Sequence, residues 1–311
     1  MWIQKWSDTL IAMKKMISIV IPAYNEEAVI DELVKRLTKL ADSLHKYSFE
    51  FIFVENGSSD NTFLELLKAR KRDKRVKILK LVKNATCDGG IVAGLTFASG
   101  NAAVVMMADL QDPPELIIKF LKKWEEGYHI VYGIVSERKN LRVTRKLGTF
   151  IFYKLMNIIT SGLLPENVSD FRLMDRKAYK IITSLPEHNK FFRGLAIWTG
   201  FKEIGIPFER PQRYAGESKA HFLTVLNVAI NGIISFSSIP LRMFWVFVGF
   251  LFLFTVVVLI KNVNTFAITL CILTILAFMI GVIGEYTLRI FEEVRNRPNF
   301  IIQDVYGLHV D

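Results

Sequence analysis

Residues 17–37 read ISIVIPAYNEEAVIDELVKRL. The first six, ISIVIP, form a short apolar run of the kind that fills a strand buried on both faces. Residues 26–43 then carry apolar side chains at helical spacing. A strand, a polar turn and a helix in that order open a βαβ unit. The same rhythm continues downstream. Strands are expected at 51–54, 76–82, 102–107 and 130–134, with helices at 61–70, near 91–98 and at 115–126. Such alternation argues for an α/β domain with a largely parallel sheet and helices on both faces.

In sheets of this kind ligands bind at the carboxyl ends of the strands. The polar signatures fall there: Pro22-Ala23-Tyr24-Asn25-Glu26, Glu55-Asn56-Gly57-Ser58-Ser59-Asp60 and Asp109-Leu110-Gln111-Asp112-Pro113-Pro114. Asp109, Gln111 and Asp112 offer oxygen ligands suited to a hard divalent ion, Mg²⁺ or Mn²⁺, which shares its shell with substrate phosphates. Asp112 before two prolines is equally a helix N-cap. The two readings are compatible. Glu55 can accept from a nucleobase or ribose, and Gly57 permits close backbone approach. A plain strand-to-helix turn has the same composition.

The rhythm changes near Arg138. Arg138, Lys139, Arg142, Arg145 and Lys146 form a basic cluster ahead of an apolar helical stretch at 147–159. A loop with Asp170-Phe171-Arg172 and a helix at 176–184 follow. The basic cluster and the segment Arg213-Tyr214-Ala215-Gly216-Glu217-Ser218-Lys219 can bind phosphates, or form a solvated face near anionic lipid. Residues 222–239 carry a polar stripe at helical spacing, which suits a helix in a membrane interface or one packed on a core.

Two uncharged stretches follow, at 243–260 and 263–284, separated by Lys261 and Asn262. A spanning helix needs about 20 apolar residues, so the pair is expected as a tight membrane hairpin. Arg242 precedes it, and Arg289, Arg295 and Arg297 follow, which places both ends and the large N-terminal domain in the cytoplasm.

The 311 residues carry a net charge of +10 and are 51% hydrophobic, with mean hydropathy +0.29. The charge suits an anionic membrane, and no nucleic-acid-binding motif stands beside it. Cys87 lies in a loop and Cys271 inside an apolar run, so no disulfide is expected between them. The N-terminus lacks the pattern of a signal peptide, its apolar run being broken by Asp8. The expected division is an extension at 1–15, a catalytic domain at 16–220, an amphipathic helix at 221–240, a hairpin at 241–288 and a tail at 289–311.

Taken in order, these motifs resemble a family 2 glycosyltransferase of the GT-A fold. They are most similar to the polyprenyl-phosphate glycosyltransferases, which include bactoprenol glucosyltransferases and dolichol-phosphate mannose synthases. The residues that carry the likeness are 19–27, 55–62, 108–115, Asp170-Phe171-Arg172-Leu173-Met174-Asp175-Arg176, Gly216-Glu217-Ser218-Lys219, and Gly284-Glu285-Tyr286 with Arg297-Pro298. The resemblance implies a Rossmann-like domain holding a nucleotide-sugar, with UDP favoured as nucleotide. Pro22, Tyr24, Glu26, Glu55 and Asn84 would line the donor pocket. Asp109 and Gln111 would hold Mg²⁺ or Mn²⁺ on the diphosphate, and Asp109, Asp112 and Arg138 would form the catalytic centre. The acceptor would be polyprenyl (undecaprenyl) phosphate, bound through Arg138, Lys146, Arg213 and Lys219. Its phosphate is already anionic at neutral pH, having a second pKa near 6, so no general base is assigned. Direct displacement would invert the anomeric centre.

Three departures from the family pattern stand out. Met107 occupies the position two before Asp109 where an acid is usual. Asn56 replaces the second Asp of Asp-Asp-Gly-Ser. Asn84-Ala85-Thr86-Cys87-Asp88 stands where bactoprenol enzymes read Asn-Phe-Gly-Lys-Glu. The competing readings are direct transfer to a polysaccharide or glycolipid, and a non-catalytic lipid-binding protein. The sequence fixes neither the sugar nor a homo-oligomeric assembly.

Overall fold

The computed structural model describes residues 14–136, 167–187, 190–212, 214, 239–261 and 265–308. Arg138, Lys146, Arg213 and Lys219 lie outside these residues. So do the expected helix at 147–159 and all of the one at 222–239 except Ile239.

The chain runs β1 (Lys15–Ala23), α1 (Ile30–Ser43), β2 (Tyr47–Glu55), α2 (Thr62–Arg72), β3 (Val76–Leu81), α3 (Thr86–Thr96) and β4 (Ala102–Val105). A 3₁₀ turn at Pro114–Leu116 leads into α4 (Ile117–Glu125) and β5 (Ile130–Val135). After these come β6 (Val168–Asp175), α5 (Arg176–Ser184), α6 (Phe192–Trp198) and β7 (Glu203–Phe208). The last elements are α7 (Ile239–Lys261), α8 (Thr265–Arg295) and β8 (Ile302–Tyr306).

The strands form one eight-stranded sheet in the order β7-β5-β6-β4-β1-β2-β3-β8. The block β3-β2-β1-β4 is parallel, and β7 is parallel to β5. Only β6 and β8 run against the others. This is the mostly parallel sheet expected of a GT-A fold. Residues 17–23 of β1 are all buried, as an apolar run with helices on both faces requires. On one face α1 packs Ile30, Leu33, Val34, Leu37, Leu40 and Ala41 into the core, the i, i+3, i+4, i+7 stripe of an amphipathic helix. On the other, Ala93 of α3 joins Val54, Leu79 and Leu81.

Two placements differ from the sequence reading. Asp170-Phe171-Arg172, expected in a loop, lies in β6. Residues 302–306, expected within a tail, form β8 at the edge of the sheet beside β3. The chain divides into two compact units. One holds the whole sheet and takes back the chain from Asn299 onward. The other holds α7 and α8, which pack on each other through Phe247 and Phe278 at 6.3 Å between ring centroids. Within α8, Ile272–Arg295 is long and apolar enough to cross a membrane, and Val246–Thr255 of α7 is a shorter apolar stretch. Phe250, Phe252, Leu253, Phe278 and Ile280 are exposed.

At the amino ends of the strands, β2 buries a carboxylate. Glu50 Oε1 accepts from Ser18 Oγ at 2.5 Å, and from Ser99 N and Ser99 Oγ at 2.8 Å each. Its Oε2 pairs with Lys77 Nζ at 2.5 Å. Burial alone would raise the pKa of Glu50, but the donors from Lys77, Ser18 and Ser99 outweigh it and hold the carboxyl below its ordinary value. Glu50→Gln removes the charge that Lys77 faces, and we expect a loss of about 3 kcal/mol of stability. A group with a lowered folded pKa contributes stability above its unfolded value of about 4.3 and loses it as pH falls through the folded value. The gap between wild type and variant in thermal melts should therefore be full at neutral pH and shrink in acid.

Candidate functional site

The carboxyl end of β1 turns sharply. Asn25 adopts a left-handed backbone with φ 53°, which Asn tolerates better than most residues. Its Oδ1 accepts from Ser59 N at 2.8 Å, and its N donates to Ser58 Oγ at 3.1 Å. Glu26 N donates to Thr62 Oγ1 at 2.7 Å, and Asn61 N donates to Glu27 Oε2 at 2.8 Å. These bonds lace the turns after β1 and β2 into one platform. Pro22 and Glu55 are buried in it, whereas Tyr24 and Glu26 keep exposed surface. Glu55 Oε1 folds back to accept from Ser58 N at 2.6 Å.

Asn56 ties a third strand end to this platform. Its backbone N donates to Ala23 O. Its Oδ1 accepts from Ala85 N at 2.9 Å, and its Nδ2 donates to Thr86 O at 2.7 Å. An aspartate could make only the first of those two side-chain bonds. Gly57, at φ 71°, sits so close that a Cβ would come within 2.7 Å of Asn84 N. Asn84 itself accepts from Thr86 N at 2.8 Å through Oδ1, so that oxygen shapes the turn.

Past β4, the segment from Met107 to Asp112 closes on itself. Asp112 does not cap a helix: the N-cap of the 3₁₀ turn is Pro113, and Asp112 Oδ2 accepts from Met107 N at 3.0 Å. Asp109 Oδ1 accepts from Gln111 N at 3.1 Å, and Leu110 between them is left-handed at φ 58°. Asp112 is fully buried, and Asp109 and Gln111 nearly so. Asp112 Oδ1 has no hydrogen bond among the described residues, its nearest cation being Arg210 Nη2 at 3.6 Å. Burial raises the Asp112 carboxyl to about 6 against the pull of Arg210.

Because β6 runs antiparallel to β4, its first residues lie at the carboxyl ends of the parallel strands. Arg172 pairs with Val105, so continuing the register brings Asp170 level with Met107. Asp170 takes a bidentate pair from Arg193, Nε to Oδ1 at 3.0 Å and Nη2 to Oδ2 at 2.7 Å. Burial works to raise the Asp170 pKa, but Arg193, Arg172 and Arg210 outweigh it and hold it below the ordinary carboxylate range. Arg172 is buried, donates to Ser169 O at 3.0 Å and lies over the Phe192 ring; burial lowers its pKa to about 10. Asp88, in the first turn of α3, keeps some exposed surface. The protein packed around it still desolvates it, and with the Asp170 charge raises its carboxyl to about 7. Cys87 Sγ meets Met107 Sδ at 3.6 Å.

The structure therefore joins Asp109, Gln111 and Asp112 with Asp88, Asp170, Arg172, Arg193 and Arg210. The last five were not singled out as site residues by the sequence reading. Asp170 and Arg172 were visible as part of a motif, but Asp88, Arg193 and Arg210 carry no local signature and converge only through the fold.

Among the described residues, no group of three His, Cys, Asp or Glu side chains gathers to hold a metal. The thioether of Met107 offers no hard donor. Asp109, the amide of Gln111 and the unbonded Oδ1 of Asp112 nevertheless suit Mg²⁺, which takes one or two protein oxygens and completes its shell with phosphates and water. The arginines beside them supply fork-shaped donors matched to phosphate oxygens.

A mostly parallel sheet with acidic and basic loops at its carboxyl edge fits the GT-A fold. Residues 18–182 match the family model described as Glycosyl transferase family 2, and the chain belongs to that family: it is a glycosyltransferase. A glycosyltransferase of Bacillus subtilis, YkcC, is 39% identical over 305 residues, covering 94% of each chain. The bactoprenol glucosyl transferase of the SfII prophage in Shigella flexneri is 35% identical over 303 residues, covering 92% of this chain and 97% of its own. Among solved structures, glucosyl-3-phosphoglycerate synthase of Mycobacterium tuberculosis aligns with a TM-score of 0.52 at 18% identity, covering 71% of this chain and 78% of its own. That likeness concerns the fold.

Two variants test this geometry. Asn56→Asp leaves Thr86 O facing a carboxylate, and we expect it to cost about 1–3 kcal/mol in thermal or urea unfolding. Asp88 has a folded pKa above its unfolded value, so the native state binds more protons and stability falls as pH rises from about 4 towards about 7. Asp88→Asn should therefore melt higher than wild type at pH 8, and the difference should disappear at pH 4.

Proposed function

We propose that this glycosyltransferase moves a sugar from a nucleotide-sugar, with UDP favoured as nucleotide, to polyprenyl phosphate at the cytoplasmic membrane, in the service of cell-surface glycan modification. The observation that carries the reading is the bactoprenol glucosyl transferase relative, similar along 92% of this chain. Membrane attachment is supported by Ile272–Arg295, which is long and apolar enough to cross a bilayer, and the chain's path limits the number of crossings. Between Arg210, beside Asp112, and Ile302, on the sheet edge, the chain leaves the catalytic unit and returns to it. Any membrane it crosses in that interval it crosses an even number of times. On this reading α7 and α8 form the hairpin, and Arg242 with Arg289, Arg295 and Arg297 keeps the sheet on the cytoplasmic side. The amphipathic segment at 221–240 lies in the interface.

The platform of Pro22, Tyr24, Glu26, Glu55 and Asn84 binds the nucleoside. Asp109, Gln111 and Asp112 hold Mg²⁺ or Mn²⁺, which when bound neutralises charge on the departing diphosphate. Arg210, which stands off from Asp112 at 3.6 Å, steadies phosphate oxygens, and Arg193 holds Asp170 in place. Arg138, Lys146, Arg213 and Lys219 hold the lipid phosphate. That phosphate is anionic at neutral pH, so its oxygen attacks the anomeric carbon without a protein base and inverts it.

The test is to incubate the detergent-solubilised protein with radiolabelled UDP- or GDP-sugars, polyprenyl phosphate and Mg²⁺ or Mn²⁺, and to count label in the organic phase. We expect metal-dependent label in lipid from a UDP-sugar, reduced roughly 100-fold or more by Asp109→Asn with the melting temperature little changed. Label appearing only in added polysaccharide would overturn the acceptor. Activity of Asp109→Asn with an unchanged metal response would overturn the site.

A further inference from the structure

The segment from Asn84 to Gly90, which carries the chain from β3 into the first turn of α3 beside the site, is held in a strained shape. Thr86 has φ 66°, an outlier for a β-branched residue. Such a conformation costs about 1–3 kcal/mol and persists only where its surroundings over-determine it. From inside, Asn56 binds Ala85 N and Thr86 O, and Asn84 binds Thr86 N. From outside, the support comes from chain that follows α8. Ile301 O accepts from Val82 N at 2.9 Å, where β3 runs into the loop. Asn299 O lies 3.9 Å from where a Cβ on Gly89 would sit, and Asn299 Nδ2 donates to Glu187 O at 3.3 Å. Phe300 packs with Ala85 against Val54, Leu79, Leu81 and Ala93.

We propose that residues 299–301, at the entrance to β8, are an outer brace that positions the turn at 84–85 and the first turn of α3 against the site. What the loop binds rests on the function proposed above; that it is braced does not. Phe300 acts as a positioning residue through the cluster it shares with Ala85. The donor wall is then complete only when the chain has made both apolar helices and come back to the sheet. Unbracing should let the loop leave its strained shape and open the cleft around Cys87.

Cys87 supplies the reporter. It has exposed surface and touches Met107 across the site, so its labelling rate reads the position of this segment. The only other cysteine in the chain is Cys271. In full-length protein carrying Cys271→Ser, the rate of maleimide labelling at Cys87 is measured with and without UDP and Mg²⁺. Phe300→Ala should speed labelling about tenfold, equivalent to about 1.4 kcal/mol, and raise the UDP concentration needed for protection by a similar factor. Val305→Ala thins the same cluster farther along β8. It should lower the melting temperature but leave labelling and protection at wild-type values. Should Phe300→Ala not fold, Phe300→Leu replaces it with the same expectations. If the Phe300 and Val305 variants change labelling alike, in step with their melting temperatures, the brace is overturned and Phe300 serves stability alone. If UDP fails to protect Cys87 in otherwise unaltered protein, the donor reading fails, and the comparison of labelling rates without UDP still decides the brace.

Discussion

Asn56 holds three strand ends together. It follows β2, its backbone bonds to the end of β1, and its side chain bonds twice to the loop after β3. Parallel strands share no turns, so the loops at their carboxyl ends have no covalent reason to keep a fixed spacing. A buried group that both donates and accepts supplies that reason, and an amide does so without bringing a charge. Asn56 is nearly inaccessible to solvent, so breaking either side-chain bond would leave a polar group unsatisfied. An ionised acid at this position could not donate to Thr86 O, which the amide of Asn56 does.

The site depends on a second balance, between carboxylates and guanidinium groups. Asp170 is held ionised by Arg193, while Asp88 and Asp112 are pushed towards the neutral form by burial. On the proposed reading the cleft accepts a cation and a diphosphate, which needs both signs of charge close together without letting them collapse into closed pairs. The geometry fits this requirement. Arg193 is committed to Asp170 through two bonds, but Arg210 stands off from Asp112 at 3.6 Å. A diphosphate could draw on Arg210, and a cation on Asp112, without first breaking a short ion pair.

The first five strands were legible because each is an apolar run between polar turns, and the Asp109 motif was legible because its residues are adjacent in sequence. The other three strands were not. β6 contains Asp170 and Arg172, charges that argue against a buried strand until their partners Arg193 and Ser169 are known. β7 carries Gly205 and Pro207, which weaken a strand pattern. β8 lies beyond two apolar helices, where nothing local says that the chain returns to a sheet begun near residue 15. The site was half legible for the same reason. Asp88, Arg193 and Arg210 come from a helix start, another helix and a strand end, and only the antiparallel entry of β6 between β4 and β5 brings the neighbouring Asp170 to their level.

Met107 and Cys87, two departures from the pattern this chain resembles, are spatial neighbours with their sulfur atoms 3.6 Å apart. In that pattern an acid stands at the first position and a lysine falls at the second. A carboxylate and an ammonium on these two backbones would face each other across the cleft and neutralise one another. Replacing both by soft apolar side chains leaves the net charge of the site unchanged and keeps the two loops in contact. Losing only the acid would have left a lysine against Asp109 and Asp112, competing for the oxygens a divalent ion needs. Losing only the lysine would have added an unpaired carboxylate to a site where burial already forces Asp112 up to about 6. The contact between the two sulfur atoms therefore joins the two segments without adding charge, and Asp109, Gln111 and Asp112 remain the oxygen-bearing side chains of the segment that follows Met107.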